Sequence, residues 1–300
     1  MNFTFFIEVL LGGLLSGVMY ALVALGFVLI YKASGVFNFA QGAMVFCAAL
    51  TCVSLMEKFE FSLWLALPAT LLVMIVVAWL VEKLVLRPLV NQPEITLFMA
   101  TIGLTFFLEG LAQLIWGTNP HELKLPITDE PIAWLLDQHN ISISQFDVTA
   151  AAICAVLVTA LALFFSKTKI GRALRAVADD HQAAQAVGIP LRTIWVIVWS
   201  AAGFVALVAG VLWGARTGVQ FSMTLLALKA LPVLILGGFT SVPGAIVGGL
   251  IIGASEKLAE VYLGPMVGGG IEGWFPYVLA LLFLLVRPAG LFGEKIIRRI

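Results

Sequence analysis

Glu109 stands in TIGLTFFLEGLAQL, a stretch with no other charge. Gln113 follows one helical turn later, and Thr105 and Thr101 precede it at spacings of four, so a helix over this stretch gathers all four on one stripe. Ser16 and Tyr20 are four apart in an earlier apolar run, and Asn38 and Gln41 are three apart in VFNFAQGA. Amides and hydroxyls donate and accept hydrogen bonds without the cost of a full charge, which suits contact with a zwitterionic or amide solute. The same groups suit hydrogen bonds between helices equally well, and their types alone do not separate the two uses. Glu109 is the costliest of them in apolar surroundings, which makes it a candidate for function, including the carriage of a proton. Glu256 and Glu260, one turn apart after GGLIIGAS, are expected near the outer surface as a solvated face.

No signature of catalysis accompanies these groups. The chain has no GxxxxGK[ST] phosphate loop, no HExxH, no CxxC and no GxSxG. His121, His139 and His181 are too scattered for a metal site, and Cys47, Cys52 and Cys154 lie inside apolar runs, where a thiol acts as a small hydrophobe. The chain is expected not to be an enzyme, and to bind no metal, no nucleotide and no cofactor of its own. Any active transport would draw on an ion gradient or on a partner that hydrolyses ATP.

The elements that must position these residues follow from composition. Of 300 residues, 61% are hydrophobic and 11% charged, against about 25% charged in soluble domains. Uncharged runs cover 9–31, 33–56, 61–81, 148–166, 193–215 and 230–255, each long enough for the roughly 20 residues that cross a bilayer. They lack the alternating ten-residue pattern of a membrane barrel. The expected fold is an all-α polytopic membrane helix bundle, one permease-type domain over 1–300, with about nine crossings in a range of seven to ten. In KALPVLILGGFTSVPGAIVGGLIIGASEK, residues 229–257, Pro232, Gly237, Gly238, Pro243 and Gly244 predict two shortened or broken helices meeting near Gly238 to Pro243. Small residues four apart, at Gly13 and Gly17, Gly210 and Gly214, Gly244 and Gly248, and Gly249 and Gly253, predict close helix contacts, within the chain or at a dimer seam.

Basic residues mark the cytoplasmic side. Lys32, Lys83, Arg87, Lys167, Lys169, Arg172, Arg175, Arg192 and Arg287, with Lys295, Arg298 and Arg299, fall in alternate loops, whereas the other loops hold Lys58, Lys124 and Arg216. This places 167–192 and the C-terminus in the cytoplasm. The loop 117–147, with Glu122, Asp129, Glu130, Asp137 and Asp147 against one lysine, is expected outside. Within the inner loop, GRALRAVADDHQAAQAVGI predicts a short helix over 171–189, stopped by Gly188 and Pro190. Leu174, Val177 and Ala178 give it an apolar face flanked by Arg and Asp, the kind of rigid element a soluble motor can push on.

Six stretches in order, LLSGVMYALVALGFVLIYKASGVFNFAQGA, RPL at 87–89, ATIGLTFFLEGLAQLIWG, GRALRAVADDHQAAQAVGI, ALKALPVLILGGFTSVPGAIVGGLIIGASE and LLVRPAGLFGE, make the chain resemble the membrane permeases of ABC importers for branched-chain amino acids and related polar solutes. The resemblance implies that 171–189, beginning at Gly171, docks into an ATPase subunit. Gln182, Ala183, Ala184 and Gly188 keep the spacing of an importer motif whose first position is usually Glu, so Arg172, Arg175, Asp179 and Asp180 become the implied charged contacts. The polar groups read above, Ser16, Tyr20, Asn38, Gln41, Thr101, Thr105, Glu109 and Gln113, are the candidates to line a translocation path. In VFNFAQGA, Gln41 stands where many relatives carry His, and Ala43 where they carry an acid. The implied partners are a second similar permease subunit, two cytoplasmic ATPases holding ATP and Mg, an external solute-binding protein and the lipid of a bacterial-type inner membrane, with no nucleic acid. An ion-coupled secondary transporter, or a passive channel for a small amide or urea-like solute, is the competing expectation, and neither has need of the inner-loop motif.

Overall fold

The computed structural model describes residues 3–89, 92–179 and 181–293. Among these the chain is helical, and its extended pairing is limited to two isolated bridges. The helices run α1 (Phe3–Ser34), α2 (Gln41–Lys58), α3 (Leu63–Val81), α4 (Glu94–Trp116), α5 (Ala133–His139), α6 (Gln145–Lys167), α7 (Lys169–Asp179), α8 (His181–Ala186), α9 (Leu191–Thr217), α10 (Leu226–Gly237), α11 (Val242–Tyr262), α12 (Gly264–Val267) and α13 (Phe275–Val286). Among the described residues, six are long and apolar enough to cross a membrane: α1, α3 extended to Leu86, α4, α6, α9 and α11. Phe221–Gly237 and Phe275–Val286 are shorter apolar helices. α2, of 18 residues, is buried from Gln41 to Ser54. The expected polytopic bundle is what these runs build. The segment expected to be helical over 171–189 is helical in its described residues, as α7 and α8 on either side of Asp180, which lies outside them, and Gly188 follows at a left-handed φ of 84°.

The chain packs as two compact units. One comprises residues 25–125 and 159–227, with α2 as its axis. α2 packs against α3, α4, α9 and the 3₁₀ turn Phe221–Leu225. A helix enclosed in this way has no lipid face, so its sequence is small and apolar nearly all round. Its neighbours approach to backbone distance: a Cβ on Gly210 of α9 would lie 2.6 Å from the Val45 carbonyl oxygen. By contrast, α3 and α4 expose Leu72, Val76, Phe106, Phe107 and Leu114, the pattern of helices bordering lipid. α3 closes in a π turn, Glu82–Leu86, where the Arg87 N–H reaches the Glu82 carbonyl at 2.8 Å.

The other unit comprises residues 1–24, 126–158 and 228–300. Here α1 crosses α11 glycine to glycine. A Cβ on Gly13 would lie 2.7 Å from the Gly253 carbonyl oxygen, and Gly17 rests against the Gly249 carbonyl. Gly244 and Gly248 face α10, where a Cβ on Gly248 would lie 2.5 Å from the Val233 carbonyl oxygen. These small-residue pairs therefore make seams within the chain, where dispersion between close backbones replaces a hydrophobic drive that lipid does not supply.

The break expected between Gly238 and Pro243 falls where α10 ends at Gly237 and α11 begins at Val242. Its free carbonyls are met by the closing segment of the chain: Leu291 N–H donates to the Leu236 carbonyl at 2.8 Å and Phe292 N–H to that of Gly237 at 3.2 Å. Ser241 caps α11 by accepting the Gly244 N–H at 3.0 Å. In the segment expected outside, α5 is closed off by paired backbone at Ile132 to Ile143 and Gln145 to Glu130.

Gly253→Leu is expected to overpack the α1–α11 crossing by at least about 1–3 kcal/mol and to lower the thermal midpoint of the purified protein. Gly12→Leu, at a position with nothing within 4 Å of an added Cβ, should leave it unchanged. Equal midpoints for the two variants would remove the seam.

Candidate functional site

The α4 stripe forms as one face of one helix, but its members are engaged in different ways. Thr101 is buried, with Oγ1 2.8 Å from the Phe98 carbonyl and 3.2 Å from that of Phe37, and it accepts the Phe39 N–H at 3.2 Å. Thr105 bonds back to the Thr101 carbonyl at 2.9 Å, as hydroxyls in apolar helices commonly do. Asn38 Oδ1 accepts the Ala40 N–H at 3.1 Å. The rings of Phe27, Phe37, Phe39 and Phe98 follow one another at centroid separations of 4.8, 5.0 and 5.1 Å. Thr101, Asn38 and these rings brace the connection from α1 to α2.

Three polar groups in the same unit are not absorbed into that brace. Gln41 is fully buried against Gly26, and neither its Nε2 nor its Oε1 has a hydrogen-bond partner among the described residues. A buried amide left so costs about 1–3 kcal/mol. Glu109 is buried beside Thr224. Gln113 opens onto a cavity of about 310 Å³ at the end of α4.

Ser16 and Tyr20 are buried in the other unit, and Tyr20 meets a charged pair that the sequence did not reveal. Its hydroxyl donates to Glu256 Oε1 at 3.2 Å, the Lys229 ammonium donates to the same oxygen at 3.1 Å, and that ammonium lies 5.8 Å from the Tyr20 ring centroid. Glu256 is 2% exposed, which corrects the solvated face expected of it. The triad joins α1, α10 and α11, and in sequence only an isolated lysine within an apolar run hinted at it. Glu260 accepts the N–H groups of Gly270 and Glu272 at 3.0 and 2.9 Å and so fixes the turn before α13.

The segment after α6 is held against the bundle by its own side chains. Gly171 sits on the Phe165 carbonyl with no room for a Cβ. The Arg175 guanidinium donates to the carbonyls of Phe165 at 2.8 Å and Ser166 at 3.4 Å, satisfying the end of α6. Leu174, Val177 and Ala184 are buried, and α7 and α8 both touch α9. Arg172, Ala183 and Gly188 are exposed, and Val187 is 76% exposed. Asp180 lies outside the described residues, as do the side chains of Asp179 and Gln182. Glu82, not singled out in the sequence, is a buried carboxylate 3.9 Å from both Arg87 Nε and Arg192 Nε, the latter at the start of α9.

Apolar helices long enough to cross a membrane, with few polar groups buried among them, make this a multi-pass helical membrane protein. The chain belongs to the family described as "Branched-chain amino acid transport system / permease component", which it matches over residues 9–287. It is 28% identical over 309 residues to the high-affinity branched-chain amino acid transport system permease protein LivH of Salmonella typhimurium, covering 100% of this chain and 99% of that protein. The LivH protein of Escherichia coli K12 matches with the same identity and coverage. BraD of Pseudomonas aeruginosa, named for the same kind of permease, is 26% identical over 306 residues, 98% of each chain. The solved structure of PsaBC from Streptococcus pneumoniae in complex with Fab gives a TM-score of 0.45 at 15% identity, over 93% of this chain and 90% of that one.

Removing one partner of a buried ion pair strands the other. Glu256→Gln or Lys229→Met is expected to cost about 2 kcal/mol, at the low end because a third of the Lys229 side chain is exposed. The double variant should recover most of that loss in thermal unfolding of the purified protein. Additive losses would mean that the pair does not couple.

Proposed function

We propose that this chain is the permease subunit of an ATP-driven importer, with branched-chain amino acids as the leading solute class. The observation that carries the reading is the match over the full length of both chains to relatives named as high-affinity branched-chain amino acid permeases. In this reading the chain pairs with a second permease subunit of its own kind or a similar one. Two cytoplasmic ATPases hold ATP and Mg, and an external binding protein delivers the solute. The chain sits in a bacterial-type inner membrane with 167–192 and the C-terminus inside and 117–147 outside, following its basic residues.

Residues 171–189 are the element we assign to the ATPase contact. Arg175 is committed to the α6 carbonyls, so its role is to hold the segment in place. Arg172, Ala183, Gly188 and Val187 are exposed, and we assign them to the partner contact together with Asp179, Asp180 and Gln182 of the same motif. Closure of the ATPases on ATP would move α7 and α8, and the contacts of both with α9 would pass that motion into the spans. The Glu82 carboxylate between Arg87 and Arg192 ties the start of α9 to the end of α3, in line with such a lever. For the path we retain Gln41, Glu109 and Gln113, whose polar groups are not spent on the brace of the α1–α2 connection.

The tagged chain purified from its native membrane is expected to bring nucleotide-binding subunits with it. Val187→Glu should cut their recovery about tenfold, the effect of losing one apolar anchor worth about 1.4 kcal/mol. Reconstituted with its partners, the wild type should take up leucine only with ATP. Transport by the chain alone, without ATP, would replace this reading with an ion-coupled carrier or a channel.

A further inference from the structure

The cavity at the end of α4 is lined by Phe46, Leu50, Gln113, Gly117, Thr118, Asn119, Gln220 and Phe221, all in one unit. Its composition is unusual for this chain: three carboxamides and a hydroxyl converge on an aromatic and aliphatic floor, with no charged side chain in the lining. Phe46 and Leu50, one turn apart on α2, are buried and form that floor. Gln113 is one turn from Gly117, whose φ of 102° turns the chain out of α4 and brings Thr118 and Asn119 over the opening.

The opposite wall is pinned to this one. His121 and Val219 exchange backbone hydrogen bonds at 3.0 and 2.8 Å, which holds the segment containing Asn119 beside Gln220 and Phe221. On the α2 side, Trp116 Nε1 donates to Thr51 Oγ1 at 3.2 Å, and Lys58 donates to the Trp116 carbonyl at 3.1 Å. Three elements thus fix the geometry before any ligand arrives. A volume of about 310 Å³ is at the lower end of the range of small-molecule sites, about 300–1,000 Å³.

We propose that this cavity is a binding site for an aliphatic amino-acid zwitterion, occupied as the solute enters the chain from the external side. The assignment rests on the permease reading above and adds to it a place and a set of groups. Carboxamide N–H groups donate to the carboxylate and their oxygens accept from the ammonium, so one kind of side chain serves both ends of a zwitterion. Phe46, Leu50 and Phe221 take the aliphatic side chain. With no fixed charge in the lining, neither a net anion nor a net cation is favoured, and binding is weak enough for release inward toward Glu109, one turn from Gln113.

The test is site-specific labelling of the full chain in lipid nanodiscs. The native cysteines Cys47, Cys52 and Cys154 are all buried, so a thiol at exposed Thr118 can be labelled selectively. Leucine should slow labelling of Thr118→Cys by the factor 1 + [L]/Kd, about tenfold at ten times Kd. It should leave Asp137→Cys, on α5, unaffected, and adding Gln220→Leu to Thr118→Cys should abolish the protection. Gln220 is exposed, so this change leaves the core intact. An unchanged rate at Thr118→Cys, equal slowing at Asp137→Cys, or protection that survives Gln220→Leu would each overturn the site. Protection without ATP-driven leucine uptake by the assembled complex would overturn the importer reading and leave the site standing. Uptake without protection would do the reverse.

Discussion

Inside a bilayer a backbone carbonyl or amide that leaves its helix finds no water, so the chain must supply a partner for every irregularity it carries. Each functional irregularity here is built around that constraint. The break after α10 leaves the carbonyls of Leu236 and Gly237 open, and the closing segment returns to donate Leu291 and Phe292 N–H groups to them. The corner from α6 to α7 is closed by Arg175. The connection from α1 to α2 is closed by Asn38 and Thr101, and the π turn after α3 by its own i to i+5 bond. Breaks of this kind let a bundle of spans carry bends and mobile corners without exposing unpaired backbone to lipid.

The second demand is close contact without a hydrophobic drive. Gly13 and Gly17 against Gly249 and Gly253, and Gly210 against Val45, bring backbones to distances at which a methyl group has no room. Many weak dispersion contacts accumulate only at such separations. Charges inside the bundle follow the same economy. Glu256 is shared by Lys229 and Tyr20, and Glu82 lies between Arg87 and Arg192. The buried amide of Gln41 has no such partner among the described residues, Glu109 is buried beside Thr224, and Gln113 opens onto a cavity.

The family relation and these geometries bear on different parts of the protein. Membership speaks for the chain as a whole, whereas the brace at Thr101, the triad at Glu256 and the strap at Arg175 say what individual polar residues are occupied with. Residues that look alike in sequence divide on that basis. Thr101 is consumed by backbone groups, while Gln113, three turns further along the same face, reaches open space.

The all-helical membrane fold, the position of the α10–α11 break and the existence of close glycine seams were legible in the sequence, because length, hydropathy, proline and glycine act locally along the chain. The α4 stripe was legible for the same reason, since a spacing of four needs no tertiary information. What the tertiary structure alone decided is which groups meet. Tyr20 reaches Glu256 across 236 positions, and Glu256, expected to face water, is buried because α1 and α10 close over it. The helical segment after α6 is held in place by the Phe165 carbonyl and by α9. Asn119 and Gln220 line one cavity because a backbone bridge between His121 and Val219 brings their segments together. Local propensity determines each element, but a partner distant in sequence is chosen by packing, and packing is a property of all the elements at once.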